Sequence, residues 1–385
     1  MLMNNYFRVN LSFKKGHGAT LTTDDGKDFI DFGSGIGVCS LGHAPKGLAR
    51  VIAKQADTLI HTSNLYKIAP QEELANRICK LLGSKYYVFF ANSGAEANEC
   101  AIKLARKYGA SKGKREIISL ANSFHGRTIA TLKLTGQEKF HSSDFAPYPD
   151  EFSCYSSIDE IIKNASDRTA AVMIELIQGE GGINALDLKE VAKLAKFCKE
   201  RDILLITDEV QCGVYRSGEF VTSKLYGISP DIITFAKGLA GGVPIGACAS
   251  RHDIFAPGDH GSTFGGNFLS SVAGNYVLGE LARLKKNGSL DKTILSFSKE
   301  LDKIAKKYKK LIKARTGLGA MLGLELKEPE LLAKLYDAAL KNRLLVLKSG
   351  KATLRFLPPL NITQSEMKKG FKRLNKAFLQ VVKEI

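Results

Sequence analysis

Residues 86–99 read Tyr86-Tyr87-Val88-Phe89-Phe90-Ala91-Asn92-Ser93-Gly94-Ala95-Glu96-Ala97-Asn98-Glu99. The first five are apolar and aromatic, the composition of a short buried strand, and the run stops at the turn-forming Asn92-Ser93-Gly94. Beyond it, Ala97, Cys100, Ala101, Leu104 and Ala105 recur at helical spacing as far as residue 108. The reading is strand, turn, helix. Working outward, residues 117–120, 171–177, 203–207 and 232–236 read as further strands, and 188–199 as an amphipathic helix. Strands that alternate with helices predict an α/β fold, a mostly parallel sheet with helices on both faces.

Ligands of such sheets sit beyond the carboxyl ends of the strands. Ser93-Gly94, Gln178-Gly179-Glu180, Asp208 and Lys237 all follow strands directly. From about residue 285 the pattern changes to a long helix over 291–313, a strand over 320–326, a helix over 330–342 and two short strands. This predicts a smaller α+β domain over 285–385, joined by residues 1–50, where Asp25-Gly26 reads as a hairpin turn. Residues 51–284 form the large domain.

Composition sets outer limits. With 385 residues, 44% hydrophobic and 25% charged, the chain can bury a large core without disulfides or metals. Its longest apolar runs fall far short of a membrane span, and residues 1–8 do not form the apolar core of a signal peptide. Seven cysteines, none in a C-x-x-C pair, predict a reducing, cytoplasmic location and no metal site. The net charge of +17 would suit a nucleic-acid binder, but residues 301–385 hold 20 Lys and Arg against 7 Asp and Glu, so +13 of it lies there. Lys303, Lys306, Lys307, Lys310 and Lys313 are read as the solvated face of one helix, and no recognition motif accompanies them, so no nucleic-acid partner is expected.

Several side chains stand where chemistry needs them. Lys237 follows an apolar strand and precedes Gly238 and Gly241-Gly242, so its stem is fixed while room remains for a bulky group, as a Schiff-base lysine requires; a surface lysine reads equally well on this fragment alone. Asp208 would open onto the same edge, either as a cofactor carboxylate or as a structural cap. Ser93-Gly94-Ala95 begins a helix, where free N–H groups hold a phosphate or Ser93 merely caps. Arg127 and Arg355 carry the rigid fork that fits carboxylates, although a lone arginine is more often structural.

Taken together the chain resembles a known family. Asn92–Glu99, Ser123-Phe124-His125-Gly126-Arg127-Thr128, Gln178-Gly179-Glu180-Gly181-Gly182, Asp208-Glu209-Val210-Gln211, Phe235-Ala236-Lys237-Gly238, Pro244-Ile245-Gly246-Ala247 and Gly261-Ser262-Thr263-Phe264-Gly265-Gly266-Asn267 occur in one order. They resemble the class III pyridoxal-phosphate-dependent aminotransferases, over about residues 21–360. The resemblance implies fold type I, with Lys237 carrying pyridoxal 5'-phosphate and then moving the proton, and Asp208 facing the pyridine nitrogen. It also implies Val210 and Phe124 on the two ring faces, Gln211 near the ring hydroxyl, and Gly94 and Ala95 at the phosphate. Thr263 would reach the phosphate, and Ser262 the substrate, of a neighbouring subunit, so a homodimer is implied. Arg127 is assigned to a substrate carboxylate, and Glu180 to a pair with Arg355. The implied reaction moves the δ-amino group of N2-acetylornithine to 2-oxoglutarate, in arginine biosynthesis. Ornithine, 4-aminobutyrate or succinyl-diaminopimelate as donor, an aminomutase or racemase, and a nucleic-acid binder on the same fold remain as alternatives. Leu176, Cys212 and Tyr215 depart from the family's usual Pro, Thr or Ser, and Gly, and Tyr215 is expected to narrow the pocket.

Overall fold

The structure, a computed structural model, describes residues 1–384. Its centre is a seven-stranded sheet with strands, edge to edge, Tyr87–Ala91, Gly246–Ser250, Ile232–Phe235, Leu204–Asp208, Thr169–Ile174, Glu116–Leu120 and Phe152–Tyr155. Only the Gly246–Ser250 strand runs against its neighbours.

Alternation along each strand builds two cores, because successive side chains leave opposite faces. Ala171, Met173, Leu204, Ile206 and Ile232 pack on Cys100, Ala101 and Leu104 of the helix Gly94–Ala110. Val172, Ile174 and Leu205 pack on Val191 and Leu194 of the helix Leu188–Glu200. Buried on both faces, the central strands read as unbroken apolar runs.

A separate core gathers around Phe297, Phe356, Phe371 and Phe378, into which the N-terminal segment sends Ala19, Ile30 and Phe32. The hairpin Thr20–Thr23 and Asp28–Asp31 turns at Gly26, whose φ of 81° favours glycine. Its second strand pairs in parallel with Leu344–Leu345, so the two chain ends share a sheet.

One expectation needs correction. The helix expected over 291–313 is Ser289–Lys307, and residues Ile312–Leu318 form a strand paired antiparallel with Met321–Leu326. Lys310 and Lys313 therefore lie off the helix. Ile312, Ala314 and Thr316 alternate with polar residues, and pairing with a buried strand outweighs the lysine spacing.

Candidate active site

A cavity of about 390 Å³ opens at the carboxyl ends of the central strands. Asp208 ends its strand and is 3% exposed. One carboxylate oxygen accepts hydrogen bonds from Asn98 Nδ2 and His125 Nδ1, both at 2.8 Å, and the other from the Val210 N–H at 3.0 Å. Lys237 lines the cavity just past the Ile232–Phe235 strand, at a φ of 41° that non-glycine residues rarely adopt. Loss of water pushes its pKa below the usual lysine value, while Asp208, Glu180 and Glu175 pull it up.

The Gly94–Ala110 helix points its start into the same cavity. Ser93 caps it, accepting the Glu96 N–H at 3.2 Å, so the first free N–H groups belong to Gly94 and Ala95. Glycine is required at 94: a Cβ there would meet Val210 Cγ1 at 2.7 Å. Phe124 lines the cavity as well, and Arg127 reaches the mouth with its guanidinium 4.5 Å from the Phe140 ring centre. Arg127 is exposed and makes no ion pair among the described residues.

Beside the cavity Arg355, 3% exposed, binds Glu180 Oε1 at 2.5 Å, the Gly179 carbonyl at 3.1 Å and Gln211 Oε1 at 3.2 Å. Burial raises the Glu180 pKa, but Arg355 outweighs it, and the net shift is downward. A Cβ at Gly179 would lie 2.4 Å from Gln211 Nε2, so a larger residue there would push the Gln211 amide off Arg355.

Of the residues singled out from sequence, Gly94, Ala95, Phe124, Arg127, Asp208, Val210, Gln211 and Lys237 line one cavity. Arg355 adjoins it through Gln211, and its partner Glu180 lines a neighbouring cavity. Ser262 and Thr263 are not in its lining. Ser262 Oγ accepts a hydrogen bond from Asn92 at 3.1 Å, and Thr263 is exposed. Tyr215 does not narrow the pocket. It is buried against Phe220, ring centres 5.7 Å apart, outside the cavity wall. Sequence reasoning missed Asn98, His125 and Glu175. The legible signal for Glu175 is a lone carboxylate inside the apolar run 171–177.

The profile of the aminotransferase class-III family matches residues 2–378. The chain is a class-III aminotransferase. This class-III chain is 53% identical to an acetylornithine aminotransferase of Wolinella succinogenes, over 98% of this chain and 97% of that one. It is 45% identical to one of Aquifex aeolicus, over 97% and 98%. Among solved structures, an ornithine aminotransferase from Toxoplasma gondii ME49 superposes with a TM-score of 0.92 at 28% identity, covering 100% of this chain and 94% of that one. An N-acetylornithine aminotransferase from Stenotrophomonas maltophilia K279a gives 0.85 at 31%, covering 99% and 98%.

Class-III aminotransferases use pyridoxal phosphate, and the cavity's donor set fits it: an amine, a buried carboxylate and a pair of free N–H groups at a helix start.

Proposed function

We propose that this aminotransferase moves the δ-amino group of N2-acetyl-L-ornithine to 2-oxoglutarate, giving N-acetyl-L-glutamate 5-semialdehyde and L-glutamate in arginine biosynthesis. The observation that carries the reading is the ion pair beside the cavity between buried Arg355 and half-buried Glu180. A donor that reacts at its far-end amine meets Arg355 already neutralised by Glu180. Glutamate brings a carboxylate there, displaces Glu180 and takes the guanidinium. One cavity can so accept both substrates in turn. Relatives of 40–53% identity that bear the name acetylornithine aminotransferase support this donor; ornithine, favoured by the Toxoplasma neighbour, is the second reading.

When bound, pyridoxal phosphate supplies an electron-withdrawing ring that makes the proton on the amine-bearing carbon removable. Gly94 and Ala95 would hold its phosphate through their N–H groups, Val210 and Phe124 would enclose its ring, and Gln211 would approach its hydroxyl. Asp208, fixed by Asn98 and His125, would receive the pyridine N–H. Lys237 Nζ, its pKa lowered by desolvation, would in its uncharged form take the proton on the substrate carbon. Arg127, which makes no ion pair among the described residues, would bind the donor's carboxylate.

The reading includes a homodimer in which Thr263 and Ser262 serve the partner's cavity, towards phosphate and substrate. Its support is an apolar rim beside them: Phe264 is 60% exposed, Tyr66 69% and Leu65 89%. Cytoplasmic location is part of the same proposal, with seven free thiols and, among the described residues, no helix long and apolar enough to cross a membrane. So is the division into residues 1–50, 51–284 and 285–385, supported by the sheet shared between the chain ends. Neither nucleic acid nor metal enters it.

The test is a visible absorption spectrum of protein reconstituted with pyridoxal phosphate, followed after each candidate amine is added without keto acid. N2-acetylornithine is expected to bleach the band fastest. Faster bleaching by ornithine, 4-aminobutyrate or succinyl-diaminopimelate would overturn the substrate assignment.

A further inference from the structure

Glu175 is 4% exposed and lines the cavity one residue past the Thr169–Ile174 strand. A carboxylate here is costly unless both oxygens are satisfied. Both are: Oε2 accepts the Phe124 N–H at 2.8 Å and Oε1 the Gly179 N–H at 3.3 Å. These two amides belong to different loops. The first loop carries Phe124 and Arg127. The second carries Gly179 and Glu180, and the Gly179 carbonyl in turn accepts hydrogen bonds from Arg355 at 3.1 Å and Ser349 Oγ at 2.7 Å.

We propose that Glu175 is a positioning residue that straps the Phe124 loop to the Gly179–Glu180 loop, so that the aromatic wall of the cavity and the Arg355–Glu180 pair are set as one unit. Among the described residues no other side chain links these two loops at the cavity lining. Gln178 also joins the loops, donating to the Ala121 carbonyl at 2.7 Å, but at their base, away from the cavity lining. Glu175 faces Asp208 and Lys237, and burial together with the Asp208 charge pushes its carboxyl up to about 8. That rise favours the neutral carboxyl and brings Glu175 closer in charge to glutamine. Glutamine, however, offers one oxygen where the strap needs two acceptors, because its NH2 would confront one of the two N–H groups. Glu175→Gln thus changes the hydrogen-bond geometry while keeping the side chain's size.

The inference rests on the proposed use of Arg355 by glutamate, but not on which ω-amine is the donor. Hydrogen exchange followed by mass spectrometry on the full-length holoenzyme reads the strap directly. In Glu175→Gln, peptides covering 121–128 and 177–184 are expected to exchange about tenfold faster together, with the thermal midpoint little changed, since a lost buried hydrogen bond is worth about a factor of ten. Kinetically, KM for glutamate should rise about tenfold and kcat change less than about twofold, because ground-state seating on Arg355 is what loosens. Glu175→Ala, which removes both acceptors, should widen both effects. Protection unchanged in either segment, or an equal fall in kcat with KM untouched, overturns the strap whatever amine the spectrum favours.

Discussion

Asp208 is held by three donors, and the weakest point of that arrangement is legible atom by atom. Asn98 Nδ2 serves two acceptors, Asp208 at 2.8 Å and the His125 carbonyl at 2.6 Å, so it fixes the carboxylate and the histidine that also binds it. Asn98→Ala is expected to weaken pyridoxal-phosphate affinity about tenfold, since a hydrogen bond to a charged group contributes about 1.5–3 kcal/mol. Absorbance titration of the apoenzyme measures it; an unchanged dissociation constant would remove Asn98 from the site. Tyr215 illustrates the opposite balance. Its φ of 64° costs roughly 1–2 kcal/mol for a non-glycine residue, and burial of the ring against Phe220 offsets that cost. The departure from the family's usual glycine therefore concerns packing and leaves the cavity wall alone.

At the scale of elements, the first turn of the Gly94–Ala110 helix and the ends of the Leu204–Asp208 and Ile232–Phe235 strands meet because Tyr87–Ala91 runs in the same direction as those two, with only Gly246–Ser250 reversed between them. The N-terminal hairpin is tied in differently. His43 binds Asp31 at 2.8 Å, and Asp31 also accepts the Gly33 and Ser34 N–H groups at 2.7 and 2.9 Å, so one carboxylate turns the chain out of its strand. Burial lowers the His43 pKa, but Asp31 and, to a lesser degree, Cys39 outweigh it, and the result is a rise to about 9. The folded state therefore holds this proton more tightly than the unfolded one. Its stabilisation is complete below about pH 6.5 and is lost as pH rises through about 9. His43→Gln should lose on the order of 2 kcal/mol at pH 6 and little above pH 9, measured as unfolding free energy at each pH. A deficit that does not vary with pH would mean that packing, and not the ion pair, holds this turn.

At the scale of the whole molecule, the proposal that each cavity borrows Thr263 from a partner makes a prediction no single chain can satisfy. Lys237→Ala and Thr263→Ala should each be impaired alone, the first nearly inactive. Mixed dimers of the two contain one cavity with Lys237 and Thr263 both intact. Co-refolded mixtures should thus recover about half of the wild-type activity per hybrid dimer, on the logic that catalytic groups act as a unit. Mixtures no better than the average of the parents would place Thr263 in its own chain's service.

Much of this was legible in the sequence, because its local rules agree with one another. Apolar runs of five or six residues followed by Ser93-Gly94, Asp208 or Lys237 demand strands that end in chemistry, and eight of the expected site residues line one cavity. Short-range periodicity suffices for that, since a doubly covered sheet leaves its central strands no polar face. Other features needed the fold. The strand at Ile312–Leu318 exists because Met321–Leu326 pairs with it, and lysine spacing alone spoke for a helix. Glu175, His125 and Asn98 acquire their roles only through residues 4 to 110 positions away, at distances no pattern in the chain encodes. Residue type and local period are properties of the sequence; which buried carboxylate meets which amide is decided by how the sheet edge brings separate loops together.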